Sequence, residues 1–214
     1  MIGQPIPRVE DRRFVTGNGQ YTDDLRVEGQ VHAAFLRSQH AHAVLRSVDV
    51  SAAREAPGVI AVLVGQDYLD DGYQGVDHVP NPVDAVDATK KAFLASLTGQ
   101  IFNQPHIPLP VDRVRYVGEP IAMVIAETPL AARNATEMID VDYDVLDAVV
   151  NAADAMRDGA PQLWDGAGGN LCFQTQIGDR DEARRIIAAA PLVVQREFHH
   201  NRVVNCQMEP RSAI

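Results

Sequence analysis

The sequence predicts a mixed fold of β-strands and short α-helices around an apolar core, and three observations carry that expectation. Val114 to Val145 reads as strand, helix, strand, and Ala43 to Val64 reads the same way with a shorter helix. At 214 residues the chain is long enough to bury on the order of 70% of its unfolded surface. That length leaves room for one large or two modest domains.

The elements follow in order. Val31 to Arg37 and Ala43 to Val50 alternate as strands; Ser51 is placed to cap a short helix that stops at Pro57-Gly58; Val59 to Val64 reads as a buried strand. From Asp67 to Asp112 the pattern dissolves among Pro80, Pro82, Pro105, Pro108 and Pro110, with only Thr89 to Leu97 able to hold a short helix. A connection of that length usually serves function or meets a partner. Pro120 can begin a strand but not sit at its centre, so Ile121 to Ala126 is the strand it introduces. Thr128 offers an N-cap oxygen and Pro129 fills the first helical position. Leu130, Ala131, Ala135, Met138 and Ile139 then form one apolar stripe over about three turns. Alternation resumes at Val141, Tyr143 and Val145; were this strand parallel to the first, the crossover would be right-handed. Beyond a linker-like stretch from Asn151 to Gly169, the reading is a strand (Leu171 to Ile177), a helix (Asp179 to Ala190), a strand (Leu192 to His199) and a final strand-like run. A final segment of about 45 residues is too short to complete its own core, so the rest of a longer polypeptide or a separate subunit is expected to cover it.

Composition excludes several function classes. A net charge of −10 opposes nucleic acid or an anionic membrane as partner, since either requires a basic face. Met1-Ile2-Gly3-Gln4-Pro5 lacks the pattern of a secretory leader, and no apolar run approaches the roughly 20 residues of a membrane span. A cytoplasmic protein is expected. Cys172 and Cys206 stand far apart, so neither a CxxC pair nor a four-cysteine cluster site can form, and both are read as buried thiols.

The candidate chemical residues are few. His40-Ala41-His42 places two imidazoles on one strand face, but lacks a third ligand nearby, which favours hydrogen-bonded structural histidines over a metal. His199-His200 alternates faces and suits chelation less. Thr16 to Tyr21 is glycine-rich without the strand and helix that a phosphate loop needs, so it reads as a tight turn. Glu119, at a strand entry with no paired titratable neighbour, reads as a turn or interface residue before it reads as a general base. Glu209 abuts Arg211, which favours a structural ion pair.

Eight separated motifs, in order, carry a resemblance. They are Gly3 with Arg8-Val9-Glu10-Asp11 and Arg13-Phe14-Val15-Thr16-Gly17; Tyr21-Thr22-Asp23-Asp24-Leu25; Arg37-Ser38 with His40-Ala41-His42-Ala43; Pro57-Gly58-Val59; Val117-Gly118-Glu119-Pro120; Val141-Asp142-Tyr143; Asn170 with Gly178-Asp179; and Met208-Glu209-Pro210-Arg211. In these the chain resembles the N-terminal part of the molybdenum-cofactor-binding large subunit of the xanthine dehydrogenase and aldehyde oxidase family, particularly the bacterial branch that includes carbon monoxide dehydrogenases. Asp147 stands where that pattern has a proline.

The resemblance implies an α+β fold: an α/β hammerhead domain with an N-terminal arm over residues 1–150, a linker over 151–169, and the incomplete start of the molybdopterin-binding domain over 170–214. It implies part of an enzyme that oxidises an aldehyde, an N-heterocycle or carbon monoxide. A molybdopterin-type molybdenum cofactor would be bound by residues beyond this chain, with iron–sulfur clusters and FAD on partner subunits; the protein's contribution is orientation and electronics. The family's cofactor loops and catalytic glutamate lie past the position of Ile214, so no catalytic, cofactor-binding or metal residue transfers. The partners implied are the remainder of the large subunit, an iron–sulfur subunit, an FAD subunit and a small-molecule substrate. The alternative is a free-standing, non-catalytic binding or assembly module with the hammerhead fold.

Overall fold

A computed structural model describes residues 3–76, 102, 104–172, 178–207 and 209–213. The chain divides into two compact units, Val31–Pro191, and Met1–Gln30 with Leu192–Ile214.

The larger unit is built on two three-stranded antiparallel sheets. β1 (His32–Arg37) and β3 (Val59–Val64) flank β5 (Pro120–Ala126) in the first. β4 (Arg113–Val114) and β6 (Asp140–Val145) flank β2 (Ala43–Asp49) in the second. The strand, helix, strand unit is therefore present, but β5 and β6 lie in different sheets and are not a parallel pair.

Between β5 and β6 runs α4 (Pro129–Thr136); α2 (Ser51–Arg54) and α3 (Gly65–Asp70) bracket β3. Thr128 caps α4 as expected, its hydroxyl accepting the Ala131 N–H at 3.1 Å. The helix ends at Thr136, a turn short of expectation, and its buried residues are Ala132 and Ala135, while Leu130 and Met138 face outward. Ala135 and, just past the helix, Ile139 are the members of the expected stripe that reach the core, and Ala132 joins them there. Ser51 is the first residue of α2 rather than its cap; the Asp49 carboxylate instead accepts the Ser51 N–H at 2.9 Å.

Two apolar cores result. Val62, Ala122, Val124 and Ala126 meet Val50, Ala53, Ala132, Ala135 and Ile139 in the first; Ala43, Leu45, Val114 and Ile121 form the second. Val48 and Val141 pack against both. β3 is not the fully buried strand its composition suggests. It pairs with β5 alone, and a register break between Val59 and Ala61 leaves Ile60 56% exposed.

The long connection after α3 is pinned at its base. A Cβ on Gly65 would stand 2.3 Å from the Leu109 carbonyl oxygen, and Val76 pairs with His106 as an antiparallel bridge. The helix suggested for Thr89 to Leu97 lies outside the described residues. Further on, α5 (Ala152–Ala155) falls in the linker-like stretch, and α6 (Arg180–Ala189) opens on Asp179, whose carboxylate accepts the Glu182 N–H at 2.9 Å.

In the smaller unit, α1 (Asp11–Val15) precedes a turn in which Phe14 and Tyr21 stack with centroids 6.0 Å apart. The expected strands at Leu192 to His199 and from 201 onward are absent among the described residues. Their aliphatic composition suits a ladder, but among the described residues no neighbouring strand accepts it. Leu171 and Cys172 are not strand either, and the rest of that expected strand lies outside the described residues.

Candidate functional site

The densest polar arrangement of the larger unit is built on the turn from Arg115 to Glu119, between β4 and β5. Gly118 adopts φ 87°, which a side chain would strain. The turn is tied to the one after β1: the Ser38 N–H donates to the Glu119 carbonyl and the Gly118 N–H to the Ser38 carbonyl, both at 2.8 Å. Arg37 Nη1 adds a bond to the Gly118 carbonyl at 2.9 Å.

That frame buries Glu119, which is only 4% exposed. Its carboxylate accepts the Arg115 N–H at 2.5 Å and a further backbone hydrogen bond from Tyr116. Burial pushes its pKa up, and the backbone N–H groups and the charges of Arg115 and His106 only partly oppose this.

Arg115 does not turn its guanidinium on Glu119. The group lies 3.6 Å from the Trp164 ring centroid and donates to the carbonyls of Leu163 (3.3 Å) and Arg113 (2.9 Å) and to Asp112 Oδ2 (3.3 Å). Arg113 reaches Asp165 at 3.2 Å, and Phe102 stands 6.0 Å from Trp164 on centroids. Asn170 steadies the segment by accepting from the Leu163 N–H and donating to the carbonyls of Ala155 and Pro161. A cleft of about 350 Å³ opens here, lined by Glu119, Arg115, Trp164, Asp112 and His106 together with Ile107, Val111 and other apolar residues.

The other candidates separate. His42 is buried, its Nδ1 donating to the Asp147 carbonyl at 2.8 Å, while Nε2 is without a hydrogen-bond partner among the described residues. Because it is the main-chain oxygen of Asp147 that His42 uses, the departure from proline there leaves the contact intact. His40 packs edge-on to Tyr143 at 4.8 Å. Both histidines sit in the turn between β1 and β2, not on a strand, and no group of three metal-ligating side chains occurs among the described residues. In the smaller unit, Glu209 Oε1 accepts from the Thr22 N–H at 3.0 Å and is within 3.2 Å of its hydroxyl. A contact 187 residues apart in sequence displaces the neighbour pair expected with Arg211. Cys172 and Cys206 are exposed free thiols rather than buried ones. Sequence reasoning missed Trp164, Arg115 and His106; the one available signal was that Trp164 is the only tryptophan of the chain.

Two antiparallel sheets with a helix on one of them define an α+β domain of hammerhead type. Residues 16–147 match the family described as aldehyde oxidase and xanthine dehydrogenase, a/b hammerhead domain, and the chain belongs to that family. It is 32% identical over 217 residues to the nicotine 6-hydroxylase large subunit of Paenarthrobacter nicotinovorans, covering 100% of this chain and 24% of that protein. It is 32% identical over 214 residues to the carbon monoxide dehydrogenase large chain of Afipia carboxidovorans, covering 94% and 24%. The crystal structure of quinoline 2-oxidoreductase from Pseudomonas putida 86 superposes with a TM-score of 0.68 at 31% identity, over 90% of this chain and 22% of that one. The chain thus spans about a quarter of the length of the curated relatives it matches.

Proposed function

We propose that the chain is the N-terminal portion of the large subunit of a molybdenum-containing hydroxylase or dehydrogenase, serving as scaffold and subunit-contact region. The observation that carries this reading is the match of the whole chain to a large subunit four times its length. Residues 1–150 form the hammerhead domain with its arm, 151–169 the linker, and 170–214 the opening of the molybdopterin-binding domain. The complete enzyme oxidises an aldehyde, an N-heterocycle or carbon monoxide, in the cytoplasm, together with an iron–sulfur subunit and an FAD subunit. Among the described residues no helix is long and apolar enough to cross a membrane.

The residues present do not fit the molybdenum cofactor itself. The cleft presents the carboxylates of Glu119 and Asp112, and its one guanidinium is engaged by Trp164, Asp112 and two carbonyls. A phosphate-bearing pterin needs the opposite sign. The cofactor belongs to residues beyond this chain, and no catalytic residue is assigned within it. Exposed aliphatic side chains, among them Ile186 and Ile187 on α6 and Val203 and Val204 in the smaller unit, support the contact role.

The test is the native mass and metal content of the assembly that co-purifies with this chain from its source cells. A large assembly containing molybdenum and iron is expected. A metal-free species near 23.3 kDa would overturn the reading.

A further inference from the structure

The cleft beside Glu119 is left unused by the scaffold role. Its volume of about 350 Å³ lies in the range of roughly 300–1,000 Å³ that small-molecule sites occupy. One side is apolar, made by Ile107, Val111 and the neighbourhood of Trp164. Into it Glu119 brings a carboxylate that is withdrawn from water, and the donors shown meeting it are backbone N–H groups, which carry no net charge. The guanidinium nearby is held over the Trp164 ring and paired with Asp112. Arg115 is answered by Asp112, which leaves the carboxylate of Glu119 facing the cleft with the His106 imidazole beside it in the wall, whose charge also acts on Glu119. A buried carboxylate beside apolar walls is the recognition chemistry for a compact cation that carries its own apolar body.

We propose that this cleft binds a small organic ammonium ion, its charged head on the Glu119 carboxylate and its apolar body against Ile107, Val111 and Trp164. The proposal stands whether or not the hydroxylase reading does. No bond is made or broken in it.

Trp164 makes the site self-reporting, since it is the only tryptophan among the 214 residues. The experiment titrates the full 214-residue chain with benzylammonium, benzyl alcohol and benzoate while Trp164 emission is followed. Benzylammonium is expected to change the emission saturably, benzyl alcohol to half-saturate at a concentration at least about tenfold higher, and benzoate to give no saturable change. Glu119→Gln keeps the shape and removes the charge, so the benzylammonium midpoint should rise at least about tenfold. Val111→Phe adds bulk to the apolar lining of the cleft and keeps Glu119, and it should do the same. A non-saturable response to benzylammonium would overturn the proposal, as would equal midpoints for the three probes or unchanged midpoints in both variants. Should Glu119→Gln lose the circular dichroism of the parent, Val111→Phe decides alone: a raised midpoint supports the site and an unchanged one sinks it.

Discussion

The strand-rich region from His32 to Val145 and the stretch from Leu192 to Gln207 are built from the same kinds of residue and reach opposite ends. Ile121, Val124 and Val114 are completely enclosed, whereas Val193, Val194, Val203 and Val204 are exposed, Val204 by 87%. Both are rich in valine, a strand-forming residue. What differs is supply of partners: β5 has a strand on each side and a helix across one face, and the later stretch has no strand beside it among the described residues. Propensity proposes a strand, and a hydrogen-bonding neighbour with a covered face decides it.

The sharpest way to break that contrast is to truncate one aliphatic from each region. Ile121→Ala should lower the unfolding free energy by about 3 kcal/mol in urea, and Val204→Ala should leave it within about 0.5 kcal/mol. Equal effects would mean that both regions bury their side chains. Next in size is Gly65→Ala. The added methyl meets the Leu109 carbonyl oxygen at 2.3 Å, and since backbone must move to admit it, a loss of about 1–3 kcal/mol is expected.

Helix caps extend the comparison at smaller amplitude. Thr128→Ala removes the cap of α4, a helix on the first core, and should cost about 1 kcal/mol in global unfolding. Asp179→Ala removes the equivalent bond from α6, whose residues are exposed; the urea midpoint should stay in place, with faster amide exchange confined to that helix.

The smallest effect is a pH slope. Burial raises the pKa of Glu119 in the folded chain above its ordinary 4.5. The folded state therefore holds the proton more tightly than the unfolded one, and the stability this gives is full below 4.5 and is lost as pH rises through the raised value. Glu119→Gln should flatten that part of the stability profile; a profile that keeps its slope would place its origin in another group.

Local signals were legible where local chemistry decides. Pro120 opening a strand, Thr128 and Pro129 opening a helix, and the β1, β2 and β3 runs all stand where the sequence puts them. Signals failed where the answer depended on distant residues. The two-residue strand β4 carries too little pattern to be seen, yet it gives Val114 to a core. Of the apolar stripe expected on α4 and just beyond it, Ala135 and Ile139 are buried and Ala131 packs against the core, whereas Leu130 and Met138 face outward and Ala132 takes a buried place the stripe did not include. The site was half legible: Glu119 stood out by its place before Pro120, while its burial is made by Ser38 and Arg115, and Arg115 in turn is placed by Trp164, a residue 49 positions further on. Glu209 shows the same limit, its partner Thr22 being 187 residues away.

Val48 and Val141 touch both apolar cores, one from the central strand of the second sheet and one from its edge. Neither sheet can open without exposing side chains that the other also uses. The larger unit therefore melts as one body: the slowest amide protons of β5 and of β2 should exchange with a common free energy, and no partly molten state with a single intact sheet should accumulate.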